Sequence, residues 1–294
     1  MRIREEIINA LKNNLPVVAF ESTVIAHGLP YPKNLEIFRN LENIAREMGC
    51  IPATIGIFRG EIVVGLTEKE IVEFIEDSPV KVGTREIPYV CALKKSAATT
   101  VSATAKIASL SGIKVFATGG IGGVHKGEWD VSQDLLELSK TNIIVVSTGC
   151  KSILDVKKTL EFLETFQVIV VGYKTEYFPI FYNGISSYKI DRVDSVEHIR
   201  NIYNIKNEIS INGSILVANP IPEEYVISED EMKKYLSIVE KEMDAKNISG
   251  KDVTPYTLKR LVELSKGKTL EANITLLENN AKLACDIAKS LVKL

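Results

Sequence analysis

The chain predicts an α/β fold: a three-layer α/β/α sandwich with a mostly parallel central sheet and a helical C-terminal third. Three observations predict it. Short β-branched runs alternate with stretches of helical periodicity. Several of those runs are apolar throughout, as in V-V-A-F at 17–20 and I-I-V-V at 143–146, the pattern of strands covered on both faces. The last third reads as a succession of helices.

In chain order, strands are expected at 16–20, 53–58, 62–65, 113–118, 142–147, 168–173 and 214–218. Helices are expected at 34–48, 68–76, 101–110, 131–139, 152–165, 196–208, 229–245, 255–265 and 270–291. Thr67-Glu68-Lys69-Glu70 has the form of a capping box and marks a helix start. Thr254-Pro255 sets a cap residue before a proline at the first helical position. The C-terminal helices are expected to pack on the sheet or to build the rim of a site.

The 294 residues suit one large domain, 1–294, with no internal repeat, low-complexity tract or linker. Hydrophobic content of 45% and charged content of 25% are those of an ordinary globular protein. A net charge of −2 argues against a nucleic-acid polymer as partner, since such proteins carry a basic excess or stripe. Cys50, Cys91, Cys150 and Cys285 are far apart with no C-x-x-C, which fits a reducing cytoplasm. The N-terminus carries acids and lacks the apolar core of a signal peptide. Apolar runs fall far short of the roughly 20 residues of a membrane span, so no membrane partner is expected.

Ligands of open α/β sheets bind outside the carboxyl ends of strands. Four segments follow expected strands: Glu21-Ser22-Thr23 with His27-Gly28 behind, the glycine loop Gly119-Gly120-Ile121-Gly122-Gly123, Thr148-Gly149-Cys150-Lys151, and Asn219-Pro220-Ile221-Pro222. Their convergence at one sheet edge is the argument for an enzyme. The glycine loop matches neither the dinucleotide fingerprint nor a P-loop.

Lys151 is expected at the start of helix 152–165, where burial and the helix dipole both disfavour its ammonium form. A neutral amine there forms a Schiff base with a sugar carbonyl; the alternative is a surface lysine. Glu21, after an apolar strand, suits a general acid or base, or else a cap or ion-paired carboxylate. Asp130 and Asp134 are four apart and share a face if a helix has begun by Asp130. One suits a mostly hydrated divalent cation, the other sugar hydroxyls; both also suit plain helix-start acids. His125, just past the glycines, is a candidate hydrogen-bonding or proton-donating group, or a satisfied loop residue. His27 has weaker support, and His198 reads as a helix-surface residue. The run A-A-T-T-V-S at 97–102, with Thr100 and Val101, opens a helix with hydroxyls and free N–H groups, which suits a phosphate. Lys81 and Arg85 lie upstream to add charge. Simple N-capping explains the same residues.

Nine pieces, in this order, carry a resemblance: V-V-A-F-E-S-T-V-I-A-H-G (17–28), P-A-T-I-G-I (52–57), K-V-G-T-R-E-I-P-Y-V (81–90), A-A-T-T-V-S-A-T (97–104), G-I-K-V-F-A-T-G-G-I-G-G-V-H-K-G (112–127), D-V-S-Q-D-L (130–135), G-C-K-S-I-L-D (149–155), V-A-N-P-I-P (217–222) and N-I-T-L-L-E-N-N-A (273–281). Together they span nearly the whole chain and resemble the pseudouridine-5′-phosphate glycosidase family, also called indigoidine synthase A-like proteins. The resemblance implies reversible cleavage of the C–C glycosidic bond of pseudouridine 5′-phosphate to uracil and ribose 5-phosphate, through a lysine–sugar intermediate. It implies one divalent cation per subunit, usually Mn²⁺, an α/β/α sandwich and a homotrimer. The family's catalytic lysine falls on Lys151, its acid/base glutamate on Glu21 and its metal-binding aspartate on Asp130. Substrate contacts fall on Lys81, Val101 and Ser132, Gln133 and Asp134, with His125 and Asn273 also at active-site positions. The segment 126–129 is shorter than in some relatives, which bears on the site rim.

Two other classes fit the residues without the resemblance. A Schiff-base aldolase or lyase on another phosphosugar would keep Lys151 and the phosphate site. A non-catalytic phosphosugar- or nucleotide-binding protein would hold its ligand unchanged.

Overall fold

The computed structural model describes residues 1–127, 129–248 and 253–292. Glu128, within the shortened segment, and the cap expected of the Thr254 and Pro255 side chains lie outside the described parts.

Strands run in the order β1 (Arg2–Ile3), β2 (Val17–Glu21), β3 (Ile51–Phe58), β4 (Glu61–Val64), β5 (Val80–Val82), β6 (Ala97–Thr99), β7 (Val115–Ala117) and β8 (Val124–His125). They continue with β9 (Ile144–Ser147), β10 (Leu154–Asp155), β11 (Ile169–Tyr173), β12 (Tyr177–Pro179), β13 (Ile185–Lys189), β14 (Asp191–Val193) and β15 (Ile215–Ala218). The helices are α1 (Glu5–Lys12), α2 (Lys33–Glu47), α3 (Glu68–Glu76), α4 (Ile87–Ala92), α5 (Val101–Leu110) and α6 (Gln133–Lys140). After these come α7 (Val156–Thr165), α8 (Val196–Glu208), α9 (Glu229–Lys246), α10 (Val253–Leu264) and α11 (Lys268–Val292).

The main sheet has the order β1-β4-β3-β2-β7-β9-β15-β11-β14, with β6 on β3 and β5 on β6. From β3 to β14 every neighbouring pair is parallel. The antiparallel pairs sit at the other edge, where β3 meets β4 and β6. The expected architecture is therefore the observed one.

The apolar strands split their side chains by alternation. Val18, Phe20, Val115, Ala117, Ile144, Val146, Ile215 and Val217 enter one core, covered by α2, α8 and α11. Val17, Ala19, Phe116, Val145, Leu216 and Ala218 enter the other, with Ala105 and Ala108 of α5, Leu138 of α6 and Leu163 of α7. A period of two with both phases apolar requires two covering layers. The capping box is formed: the Glu70 N–H donates to the Thr67 hydroxyl at 3.3 Å, and the Thr67 N–H donates to Glu70 Oε2 at 2.8 Å.

Several elements depart from expectation. β1 and α1 form where no element was expected, because Ile7 and Ala10 give the acid-rich N-terminus one apolar stripe. β5 and β6 are three residues each, and the alanines of β6 carry no strand signal of their own. The hairpin β12–β13 has an irregular register and was not expected either. Among the described residues, no helix is long and apolar enough to cross a membrane.

Phe116 is wholly buried in the centre of the sheet. Phe116→Ala is expected to cost about 3–5 kcal/mol of unfolding free energy by lost burial and cavity formation. Urea titration measures it, and a loss below about 1 kcal/mol would contradict the close packing described.

Candidate functional site

The site forms where β2 stops short. β6 pairs with Gly56 and Ile57 of β3, while β2 pairs only up to Ile55. The end of β2 is sealed by hydroxyls: the Thr99 N–H donates to Ser22 Oγ at 3.0 Å, and Thr23 Oγ1 donates to the Thr99 carbonyl at 2.8 Å. Glu21, the last residue of β2, faces a cleft of about 310 Å³. Burial pushes its carboxyl above the ordinary carboxylate range, while the nearby Lys151 ammonium and a hydrogen bond from the Thr118 hydroxyl act against that rise.

The glycine loop closes the next side. Asp134 is buried, and its two oxygens accept the Ser102 N–H at 2.9 Å and the Gly122 N–H at 2.8 Å. One carboxylate thus ties the loop to the start of α5, by hydrogen bonds stronger than neutral ones. Gly122 must be glycine, since a Cβ there would lie 2.3 Å from Ser132 Oγ and 2.7 Å from Asp134 Oδ2. Ser132 caps α6, its hydroxyl accepting the Asp134 N–H at 3.2 Å. α6 starts at Gln133, so no helix has begun by Asp130, and the condition for a face shared with Asp134 is not met. Asp130 instead lies against His125: its carbonyl accepts the His125 N–H at 2.9 Å, and its Oδ2 lies 3.9 Å from His125 Nε2. Burial lowers the affinity of His125 for a proton despite Asp130, with Lys151 and Lys81 adding to the effect.

Lys151 ends the loop after β9. The expectation that it opens a helix is corrected: α7 begins at Val156 with Asp155 as its cap, so no helix N-terminus acts on Lys151. Gly149, at φ +63°, makes the turn. A side chain there would strike the Pro179 carbonyl at 1.9 Å. Crossed backbone bonds join the lysine and glycine loops: the Thr148 N–H donates to the Gly119 carbonyl at 2.9 Å and the Ile121 N–H to the Gly149 carbonyl at 3.0 Å.

The opposite wall comes from β5, the following turn and α5. Lys81, Thr100 and Val101 line the cleft with Gly83 and Arg85. Thr100 occupies the cap position of α5, but its side chain makes no cap bond and pairs with the Ser102 hydroxyl at 3.1 Å. Gln133 spans the wall, accepting the Arg85 N–H at 3.0 Å and donating to Glu86 Oε2 at 3.0 Å.

Glu21, Lys81, Thr100, Val101, His125, Asp130, Ser132, Gln133, Asp134 and Lys151 all line this one cleft. Asn273 does not. It lines an adjoining apolar recess with Val24, His27, Phe181 and Leu258, which shares Glu21, Thr23, Lys81 and Lys151 with the cleft. Asn219 leaves the strand ends without reaching either cavity, and His198 is exposed on α8. Sequence reasoning missed Thr118, Glu86 and Phe181. Thr118 had a usable signal, a hydroxyl at a strand end just before two glycines. Phe181 had none, since it arrives on the unexpected β12–β13 hairpin.

The arrangement brings an amine, a carboxylic acid and a helix N-terminus with hydroxyls around one volume, which suits carbonyl chemistry on an anionic sugar. Among the described residues, no group of three or more His, Cys, Asp or Glu is arranged to hold a metal ion. Asp130, with its side chain 55% exposed at the cleft, fits a cation held by one carboxylate and otherwise by water.

Residues 6–290 match the family described as indigoidine synthase A like protein. A pseudouridine-5′-phosphate glycosidase of Thermosipho africanus is 66% identical over 293 residues, covering 100% of both chains. One of Fervidobacterium nodosum is 60% identical over 99% of both. Among solved structures, an indigoidine synthase A-like protein of Thermotoga maritima superposes with a TM-score of 0.93 at 45% identity, over 99% of this chain and 96% of that one. The prealnumycin C-glycosynthase AlnA, in complex with ribulose 5-phosphate, superposes at 0.90 with 34% identity and the same coverage. With matches of this identity along its whole length, the chain belongs to the indigoidine synthase A-like family.

Proposed function

We propose that the chain cleaves the C–C glycosidic bond of pseudouridine 5′-phosphate with water, reversibly, to give uracil and ribose 5-phosphate. The observation that carries this reading is full-length identity of 66% and 60% to relatives named for that activity. The C-glycosynthase neighbour, seen with ribulose 5-phosphate, supports a pentose phosphate as the ligand.

The site residues take roles that follow from their places. The start of α5, with Thr100, Val101 and Lys81, receives the phosphate. Ser132, Gln133 and Asp134 face the sugar, and His125, held neutral by burial, hydrogen-bonds it. The apolar recess with Phe181 and Asn273 receives the base. Binding of the phosphate remote from C1′ supplies energy that positions the reacting end.

The chemistry needs a covalent route, because a C-glycoside that ionises directly would leave a poor carbanion on C5. Glu21 gives a proton to the ribose ring oxygen, and the C1′–O4′ bond breaks as the pyrimidine supplies electrons, forms a C1′=C5 double bond and loses its N1 proton to solvent. The Lys151 amine then adds to C1′ as the C1′=C5 pair returns to the pyrimidine, and its nitrogen passes a proton to the carboxylate that Glu21 has become. Protonation at C5 lets the C1′–C5 pair pass to the pyrimidine, and uracil leaves as Lys151 holds C1′ in a Schiff base. Water hydrolyses that bond and releases ribose 5-phosphate. A divalent cation such as Mn²⁺, one per subunit, would be held by Asp130, and would supply positive charge beside the substrate. The family resemblance supports a homotrimer, and a phosphorylated small substrate suits the cytoplasm.

Lys151→Ala is expected to abolish uracil release from folded protein, and borohydride with ribose 5-phosphate to label the parent at Lys151. Substantial turnover by the variant, followed by chromatography, would remove the covalent step.

The raised proton affinity of Glu21 sets a pH dependence. A group that must be protonated stays so to higher pH when its proton affinity is raised, so kcat is expected to fall as pH rises through that value. Glu21→Gln should lower the rate by about 10²–10⁴ and remove that limb. A loss under about tenfold would take Glu21 out of acid duty.

Uracil release is expected to be faster with Mn²⁺ than with a chelator, and Asp130→Asn to shrink that difference. Equal metal dependence in parent and variant would place the cation elsewhere.

A further inference from the structure

Asn280 of α11 is wholly buried, at the end of the stretch 273–281 that sequence reasoning singled out without giving it a task. It lies seven residues after Asn273, on the same helical face. Its amide nitrogen donates to the Thr118 carbonyl at 2.8 Å and to the Thr148 hydroxyl at 3.0 Å, with the Gly119 carbonyl at 3.5 Å. Its amide oxygen accepts from Asn219 Nδ2 at 3.0 Å. The two carbonyls can only accept, which fixes the orientation of the amide.

Thr118, Thr148 and Asn219 are the first residues beyond β7, β9 and β15, three neighbours in the sheet. One side chain from the last helix therefore ties the ends of three parallel strands. Two of those ends lead to the chemistry. The Thr118 hydroxyl donates to Glu21, and Thr148 begins the loop that ends in Lys151. Around Asn280 the helix is apolar, with Leu276, Leu277, Ala281 and Ala284 buried. A buried amide in such a setting is costly unless every polar atom is paired, and here its donors and acceptor are all used at the strand ends.

We infer that Asn280 is a positioning residue that sets Glu21 and Lys151 in register with each other, through Thr118 and Thr148. The inference rests on the roles proposed above for those two groups. It touches neither cavity, so its loss acts on the placement of the reacting groups and not on substrate binding.

The test compares parent, Asn280→Ala, Thr148→Val and Thr148→Ser. It uses steady-state uracil release over a pH range and backbone hydrogen exchange at Thr148 and Ile121. Asn280→Ala and Thr148→Val should lower kcat by about tenfold or more, since small misplacements of reacting groups are costly. KM should stay within about threefold, the signature of an interaction that acts on the chemical step. The falling limb of the pH profile should move in Asn280→Ala, because Thr118 holds Glu21. Exchange at Thr148 and Ile121, whose N–H groups join the two loops, should quicken. Thr148→Ser, which keeps the acceptor hydroxyl, should restore what Thr148→Val loses. Folded Asn280→Ala or Thr148→Val with kcat within about threefold of the parent overturns the inference, as does a Thr148→Ser variant that restores nothing. Should Asn280→Ala fail to fold, the Thr148 pair decides. Should the parent release no uracil, the proposed function fails by itself, and unchanged exchange in the variants then overturns the positioning role.

Discussion

Everything in this molecule follows from a parallel sheet that is buried on both faces. Its strands have no polar face to offer, because each phase of their alternation enters one core or the other. Parallel strands also share a direction, so their carboxyl ends come to one edge. Polar and titratable groups can then gather only there, where the backbone leaves the sheet and its N–H and C=O groups need new partners. Glu21, the glycine loop and the lysine loop are the continuations of β2, β7 and β9, adjacent in the sheet. Their proximity is a consequence of strand order, and only the fine placement is left to side chains.

That fine placement is done by polar groups spent on backbone. Asp134 gives both carboxylate oxygens to the N–H groups of Gly122 and Ser102. The loops after β7 and β9 exchange backbone bonds with each other. Glycine loops have much conformational entropy to lose, and these fixed partners are what oppose it. The close approach of Gly122 to Ser132 and Asp134 shows the other use of glycine: the loop lies where no side chain fits.

The parts legible from sequence were those that depend on local pattern. The apolar runs gave away both the strands and their double burial, and reading the residue just past each strand found Glu21, the glycine loop and Lys151. The parts that were not legible depend on distant partners. The start of α7 was misplaced by four residues because 152–155 has no strong breaker, and the loop there is held by a short β10 pairing with β8. β6 carries no strand signal of its own and pairs where β3 outruns β2, with β5 along its other side. Phe181 comes from a hairpin whose place is set by contact with Gly149 and Gly120, which no local pattern records.

The electrostatics of the cleft follow from the same geometry. Glu21 is enclosed beside Lys151 and Lys81, so burial and positive charge pull its proton affinity in opposite directions, and burial wins. His125 stands near the same two lysines, and there burial and positive charge together lower its proton affinity against the pull of Asp130. The proton affinity of the carboxyl rises and that of the imidazole falls, because one becomes charged on losing its proton and the other on gaining it. Burial thus favours a proton donor at Glu21 and a neutral hydrogen-bonding partner at His125, with Lys151 lining the same cleft. Burial by the walls around Glu21 and His125 is therefore part of the chemistry: it raises the proton affinity of one and lowers that of the other before any substrate arrives.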